Sequence, residues 1–384
     1  MIDMLIQRYD RQLLVYLGIL AAVGTVMLYS ASWYESFANS NGRTDMLFLQ
    51  GHLKRMLVGI FFLFGFLTLD YRRLKDVAPY FIVGAIILLI STKAFYLAKG
   101  FGWYKPARWL YLGPFTLQTS DVARMAIIVF MAYYVDKKRD QLKDFQMGLL
   151  PALSVLAIIM GLIVIQPDYS TALMLGTIGA LILFIGSAQI SQLSLAGAGA
   201  MLIGIPVLLS REYRRERIFS FFGLGDDPDV GYQAGQSLIS LGNGGIFGVG
   251  LGNSIEKNHF LPTPHTDFIF AIIGEELGFV LGTVPVLTLF LLIFFRGLKV
   301  AKECTDPFGV FLAVGISFNV ILYAFVNAAV VTGIFPVTGL PMPMVSYGGS
   351  GMVINMAMIG ILLNISQARR SVGDNQGWSP AQSG

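Results

Sequence analysis

Residues 259–278 read HFLPTPHTDFIFAIIGEELG. Pro262 and Pro264 keep the first half out of a helix, because proline lacks an amide hydrogen and restricts its neighbour. From Phe268 the residues turn apolar and stay so to residue 294, long enough to cross a hydrocarbon core about 30 Å thick. The stretch therefore marks a passage from irregular chain into a membrane helix, with His265, Thr266 and Asp267 at the junction. Asp267 has two readings. It can cap the helix, its side-chain oxygen accepting from the free amides of the first turn. It can also be an ionisable group placed at a membrane boundary for chemistry, because Arg124, Glu275, Glu276 and a polar loop occupy the same kind of position. Glu275 and Glu276 lie about 12 Å further along the helix. Glu275 is nearer the Asp267 face, and both are expected to face protein rather than lipid.

The rest of the chain is of the same kind. Of its 384 residues, 13% are charged and 55% hydrophobic, with a mean hydropathy of +0.67. A soluble domain carries about 25% charged residues, so the composition points to an all-α polytopic membrane protein. About ten segments are long and apolar enough to span, at 12–31, 56–70, 77–95, 117–135, 147–165, 170–186, 190–210, 268–294, 309–331 and 347–366. The second and sixth are short. A large extracytoplasmic loop, 211–267, separates spans seven and eight. Residues 1–370 read as one transmembrane domain and 371–384 as a disordered tail. No fixed-period repeat and no inverted pair is evident. The net charge of +4 is spread over loops and does not argue for nucleic acid. Cys304 stands alone, so no intramolecular disulfide can form. The first apolar run lacks a small-residue cleavage site and reads as a retained signal anchor.

Lys and Arg in short loops set the expected orientation. Arg8 and Arg11, then Arg72, Arg73 and Lys75, then Lys137, Lys138, Arg139 and Lys143 alternate with poorer loops. Arg296, Lys299, Lys302, Arg369 and Arg370 continue the pattern. Both termini are therefore expected in the cytoplasm. The outer side receives residues 96–116 with Lys105 and Arg108, the turn at Asp168, the large loop, and FPVTGLPMPMVSYGGS at 335–350. Irregular backbone at membrane depth is tolerated where it lines a cavity or is buried in protein. The large loop opens on a basic stretch, Arg211 to Arg217, that runs into aromatics. That pattern suits an interfacial amphipathic helix or arginines anchoring the seventh span. The glycine run GNGGIFGVGLG at 242–252 lacks the context of a nucleotide loop. It reads as a closely packed element that needs glycine for backbone approach.

Asp121 and Arg124 stand at i and i+3 on one helix face and can pair. Asp168 follows a proline at an outer boundary, where a cap is the plain reading. His52, His259 and His265 show no zinc-like spacing, and there is no Gly-x-Ser-x-Gly elbow or cysteine nucleophile. What remains is a carboxylate at the outer surface, a basic residue and grooves for an amphiphile, which together suit a lipid with an anionic head group.

The motifs ARWLYLG at 107–113, LQTSDVAR at 117–124 and IQPDYSTAL at 165–173 together resemble the SEDS family (shape, elongation, division and sporulation). So do DPDVGYQAGQSLISLGNGGIFGVGLGNS at 227–254, FLPTPHTDFIFAIIGEELG at 260–278 and TGLPMPMVSYGGSG at 338–351. The resemblance covers nearly all of residues 12–370, and the GLGNS and TGLP stretches look more like the FtsW branch than RodA. It implies a peptidoglycan glycosyltransferase of the bacterial cytoplasmic membrane that polymerises lipid II at the outer face, for septal or elongation synthesis. It further implies a class B penicillin-binding protein and other division membrane proteins as partners. No cofactor is certain, with Mg or Mn as a candidate helper ion and no protein metal site evident. Asp267 matches the family's expected catalytic aspartate. Arg124 stands where the family usually has lysine, with Thr119 and Asp121 replacing proline and glutamate. Many relatives carry a glutamate eight residues before the aspartate; here that position is His259, which takes no role.

The chemistry implied is attack of a sugar hydroxyl, with inversion, on an anomeric carbon linked to lipid pyrophosphate. Asp267 would be the general base, and Arg124, with Arg108 and Arg217, would steady negative charge on the leaving group. The substrate-binding candidates are Arg108, Gln118, Ser120, Asp121, Asp168, Arg217, Gln236, His265, Thr266, Glu275, Ser346 and Tyr347. Two other functions stay open: a lipid II flippase, which needs a polar path at the midplane, and a non-catalytic scaffold that recruits a transpeptidase.

Overall fold

A computed structural model describes residues 9–100, 108–112, 115–224, 228–258 and 260–368. His259, Lys105, Arg8, Arg369, Arg370 and the tail lie outside the described residues. Lipid offers no partner for backbone polar groups, so apolar runs must satisfy them internally as helices. The described chain runs through α1 (Arg11–Asn39), α2 (Leu47–Thr68), α3 (Arg73–Ala98), the strands β1 (Trp109–Leu112) and β2 (Phe115–Gln118), and α4 (Thr119–Lys138). Then come α5 (Leu150–Ile165), α6 (Tyr169–Ile185), α7 (Ile190–Leu209) and two helices of the large loop, α8 (Glu212–Phe221) and α9 (Pro228–Gly244). The last part is α10 (Ile269–Gly278), α11 (Val284–Glu303), α12 (Pro307–Val331) and α13 (Ser350–Ile365). The protein is an all-α polytopic membrane protein apart from the one small antiparallel hairpin.

Among the described residues, eight segments are long and apolar enough to cross a membrane. The two other expected spans are also helical: α4, whose charges interrupt its apolar run, and α6, with 17 residues. Several boundaries differ from expectation. The second span is not short, because α2 begins at Leu47 and runs for 22 residues. The fourth begins at Thr119, because residues 117–118 pair in the hairpin, Gln118 opposite Trp109. The last begins at Ser350. The large loop is not irregular throughout, since α8 and α9 occupy much of it.

The eighth span is the main correction. It runs from Ile269 to Glu303 but is broken: Gly278 has φ 77° and a π turn, Phe279–Thr283, joins α10 to α11. The break exposes backbone groups at the end of α10, and the glycine run satisfies them. The amides of Val249 and Gly250 donate to the carbonyls of Glu275 and Glu276, at 2.9 and 3.0 Å. The amides of Phe279 and Val280 donate to the carbonyls of Gly245 and Ile246, both at 3.0 Å. The two backbones touch. A Cβ on Gly248 (φ +82°) would lie 2.3 Å from the Glu276 carbonyl oxygen.

One end of the bundle collects the basic loops. There the Asp10 amide donates to Ser366 Oγ at 3.1 Å, and Arg296 pairs with the Asp10 carboxylate at 2.6 Å. The Tyr71 amide donates to Asn364 Oδ1 at 3.0 Å. The start of α1 and the end of α13 thus share this end, as an even number of spans requires. At the other end, Asn327 near the C-terminus of α12 reaches the loop before α10 and the segment before α13. Most of α12 and α13 is enclosed, whereas α7 buries none of its side chains and stands at the apolar periphery.

Candidate active site

Asp267 closes the loop ahead of α10. It does not cap that helix: the cap position falls on Phe268, and no side-chain cap bond forms. Its backbone is fixed instead. Asn327 Nδ2 donates to the Asp267 carbonyl at 2.7 Å and to the Leu340 carbonyl at 2.8 Å. That double bond holds the TGLP segment against the aspartate. Gly339 there has φ +71°, and a Cβ on it would stand 3.4 Å from Asp267 Oδ2, so glycine leaves the carboxylate room. Ser170 Oγ donates to the Thr338 carbonyl at 2.9 Å and Arg217 Nη1 to the Val337 carbonyl at 3.3 Å. Helices α6 and α8 thereby grip the same segment.

Among the described residues, none donates a hydrogen bond to the Asp267 carboxylate. The group keeps partial solvent contact, yet burial pushes its carboxyl from the ordinary value up to about 6. Three basic neighbours oppose burial, Arg217 first, then His265 and Arg108. Desolvation wins because it penalises the ionised form directly, while the cations act at a distance. A carboxylate that titrates near neutrality suits a group that must take up a proton.

Beside it lies a second cluster. Asp168 caps α6 through the Thr171 amide at 3.4 Å, as the plain reading expected. It also accepts from Gln118 Nε2 and Ser120 Oγ, each at 3.2 Å. Arg108 Nη1 stands 4.0 Å from Asp168, while its other nitrogens donate to the carbonyls of Gln166 and Pro167. Arg108 thus belongs to both clusters. Arg124, 2% exposed, pairs with Asp121 at 3.2 Å and lies over the Tyr323 ring, 4.5 Å from its centroid. Ser350 Oγ donates to Asp121 Oδ2 at 2.8 Å and accepts from the Gln118 amide at 2.8 Å.

The structure therefore gathers Arg108, Gln118, Ser120, Asp121, Asp168, Arg217 and His265 about Asp267 and the N-terminal end of α4. Arg124 belongs to the Asp121 side; the basic residues that favour ionised Asp267 are Arg217, His265 and Arg108. Tyr347 packs edge-on against His265, with centroids 5.6 Å apart, and its amide donates to the His265 carbonyl at 2.9 Å. Thr266 Oγ1 donates within its own turn, to the Thr263 carbonyl at 3.0 Å. Ser346 Oγ accepts from the Met342 amide at 2.9 Å and shapes its own loop. Gln236 sits half-buried on α9.

Glu275 is placed apart. It is fully buried, accepting from Ser240 Oγ at 2.9 Å, Ser254 Oγ at 2.5 Å and the Ile255 amide at 2.9 Å. Glu276 is equally closed, paired with Lys257 at 2.6 Å and accepting from Ser30 Oγ at 2.7 Å. Both face protein, but their contacts pin the glycine run to α10 and α1. Asn327, Ser350, Lys257 and Glu35 escaped the sequence reading. Asn327 left a usable signal, an amide inside an otherwise apolar span.

These observations define the class, a multi-pass membrane protein whose half-buried carboxylate and arginines meet at one end of a helix bundle. The comparisons make it particular. The family model described as "Cell cycle protein", built on FtsW, RodA and SpoVE, matches residues 11–371. The probable peptidoglycan glycosyltransferase FtsW of Geobacter metallireducens is 36% identical over 366 residues, covering 94% of this chain and 95% of its own. Stage V sporulation protein E of Bacillus subtilis is 34% identical over 365 residues, covering 94% and 98%. The chain belongs to this SEDS family and is FtsW-like. Among solved structures, a chain of a peptidoglycan synthase complex aligns with a TM-score of 0.75, covering 94% of this chain and 98% of its own. The Thermus thermophilus rod shape determining protein RodA aligns at 0.66, covering 94% and 98%. Both are 24% identical and share the fold.

Proposed function

We propose that the protein is a peptidoglycan glycosyltransferase that polymerises lipid II into glycan strands at the outer face of the bacterial cytoplasmic membrane. One observation carries the reading: Asp267 is a half-buried carboxylate flanked by basic residues, and no described residue occupies its oxygens with a hydrogen bond. Family membership supports the reaction class. In the proposed step the acceptor hydroxyl attacks the anomeric carbon with inversion, its proton passes to an Asp267 oxygen, and the bond to the pyrophosphate oxygen breaks. Arg217 and Arg108, beside Asp267, suit the charge that gathers on the departing pyrophosphate. Arg124 keeps a supporting role, holding the Asp121 end of the site. Among the described residues no group of three or more His, Cys, Asp or Glu is gathered to hold a metal. A Mg or Mn ion would then be held chiefly by the substrate's pyrophosphate.

The proposed partner is a single-pass class B penicillin-binding protein, alongside other division proteins. It would dock by its membrane helix, because helices in lipid associate by close packing. The proposed orientation places the basic end and both termini in the cytoplasm. In a Cys304→Ser background, an impermeant thiol reagent added outside should label Phe247→Cys and spare Lys143→Cys; the reverse pattern would move the site to the cytoplasm. The central test is purified protein with its partner, incubated with lipid II and scored for glycan chains. Chains absent from Asp267→Asn but present with wild type support the reading. No chains from well-folded wild type would favour the scaffold. Lipid II translocation without polymerisation would favour the flippase.

A further inference from the structure

Helix α1 brings one carboxylate to this end of the molecule that the reaction above does not use. Glu35 Oε2 lies 3.2 Å from His265 Nδ1. The two atoms are close without the alignment of a conventional hydrogen bond, and Nδ1 has no other partner among the described residues. The His265 side chain is 5% exposed and that of Glu35 21%, so the imidazole is inside and the carboxylate keeps one side to solvent. The ring has little freedom. Phe48 of α2 packs over it with centroids 4.2 Å apart, and Tyr347 closes another side.

The charged groups around this pair are few. Glu35 approaches His265 from α1, and Asp267 follows it on its own loop. Arg55 of α2 is held over the Tyr347 ring at 4.5 Å. Around Asp267 stand Arg217 of α8, Arg108 before β1, and the neutral Asn327 of α12. His265 favours the ionised form of Asp267, and Glu35 meets that imidazole at 3.2 Å, so Glu35 can reach the base through the ring.

We propose that Glu35 is a positioning residue: it sets which nitrogen of the His265 ring carries the proton beside Asp267, so that a protonated imidazole favours the ionised form of the base. The proposal rests on Asp267 being the base. A carboxylate beside an imidazole sets which nitrogen carries the proton and steadies the ring's charge, and a cation near a carboxyl favours its ionised form. Without Glu35, Phe48 and Tyr347 still hold the ring, but no carboxylate steadies a proton on Nδ1, and the ionised form of Asp267 loses that support.

The experiment measures polymerisation of lipid II by the full chain with its partner, as rate against pH, for Glu35→Gln, Glu35→Asp, His265→Asn and the double variant. Glu35→Gln is nearly isosteric, and folded yield by gel filtration is recorded for each. Glu35→Gln should lower kcat about fivefold or more, with KM within about twofold, and shift the acid limb upward by about half a pH unit. Glu35→Asp should recover most of the rate and the limb. In the His265→Asn background, Glu35→Gln should add nothing further, because the two act as one unit. An unchanged kcat and limb in Glu35→Gln, or a full effect persisting without His265, overturns the proposal. Asp267→Asn run alongside separates the two layers. If it is inactive while Glu35→Gln is silent, only the positioning role fails. If it polymerises normally, the base assignment fails and the role of Glu35 falls with it.

Discussion

Asp267 and Glu276 stand on one short stretch, and the molecule treats them in opposite ways. Glu276 is sealed by Lys257 at 2.6 Å and by Ser30, a buried ion pair whose charges answer one another. Asp267 keeps its oxygens clear of hydrogen bonds from the described residues and is balanced only by cations nearby. Saturated buried charges hold structure together, because removing one partner strands the other. An unsaturated one is available to a substrate. The difference separates the saturated carboxylates of α10 from the unsaturated one just before it, although all three are acidic residues at a membrane boundary.

The sharpest way to break this comparison is at Asp267 itself. Asp267→Asn should cut the rate of glycan-chain formation by about 10²- to 10⁴-fold while folded yield stays near wild type, since the carboxylate anchors nothing. Wild-type polymerisation would reduce Asp267 to a loop residue. Lys257→Ala should do the converse. It strands Glu276 in the interior and should cost about 3–5 kcal/mol of stability, read as a lowered Tm in detergent, while surviving folded protein keeps its kcat within about threefold. A large kcat loss at unchanged Tm would place the Glu276 network in the chemistry instead.

Arg124 falls between the two cases. Arg124→Ala should lower polymerisation by about 10²-fold because Asp121 then loses its partner at the edge of the site. Arg124→Lys should be partly active, since an ammonium keeps the charge but not the planar fork. Equal loss in both would point to geometry over charge. The smallest expected effect is on pH dependence. The proposed step needs ionised Asp267, so the rate should fall as pH drops through about 6. Arg217→Gln removes the cation that most opposes burial, so the acid limb should move up by about half a pH unit; that shift by itself lowers the rate about threefold below the limb and only slightly at neutral pH. A limb that moved down would mean Arg217 raises the Asp267 carboxyl rather than lowering it.

The sequence by itself determined the all-α membrane class, the approximate positions of the spans, and Asp267 as the carboxylate to watch. Those features are local. Span length follows from hydropathy, and the two prolines before an apolar run announce the junction. The close packing of the glycine run was legible for the same reason, since so many glycines serve few other purposes. Only the tertiary structure decided that the eighth span breaks at Gly278, because the break is completed by hydrogen bonds from residues 245–250. Only the tertiary structure showed that Asp267 does not cap α10, and that Arg217, His265 and Arg108 act on it while Arg124 stays with Asp121. The same holds for Glu35 on α1 meeting His265, far along the chain. Helical period places residues on a face, but how two helices rotate and slide against each other depends on packing across the whole bundle. Charge–charge partnerships made between spans are set there.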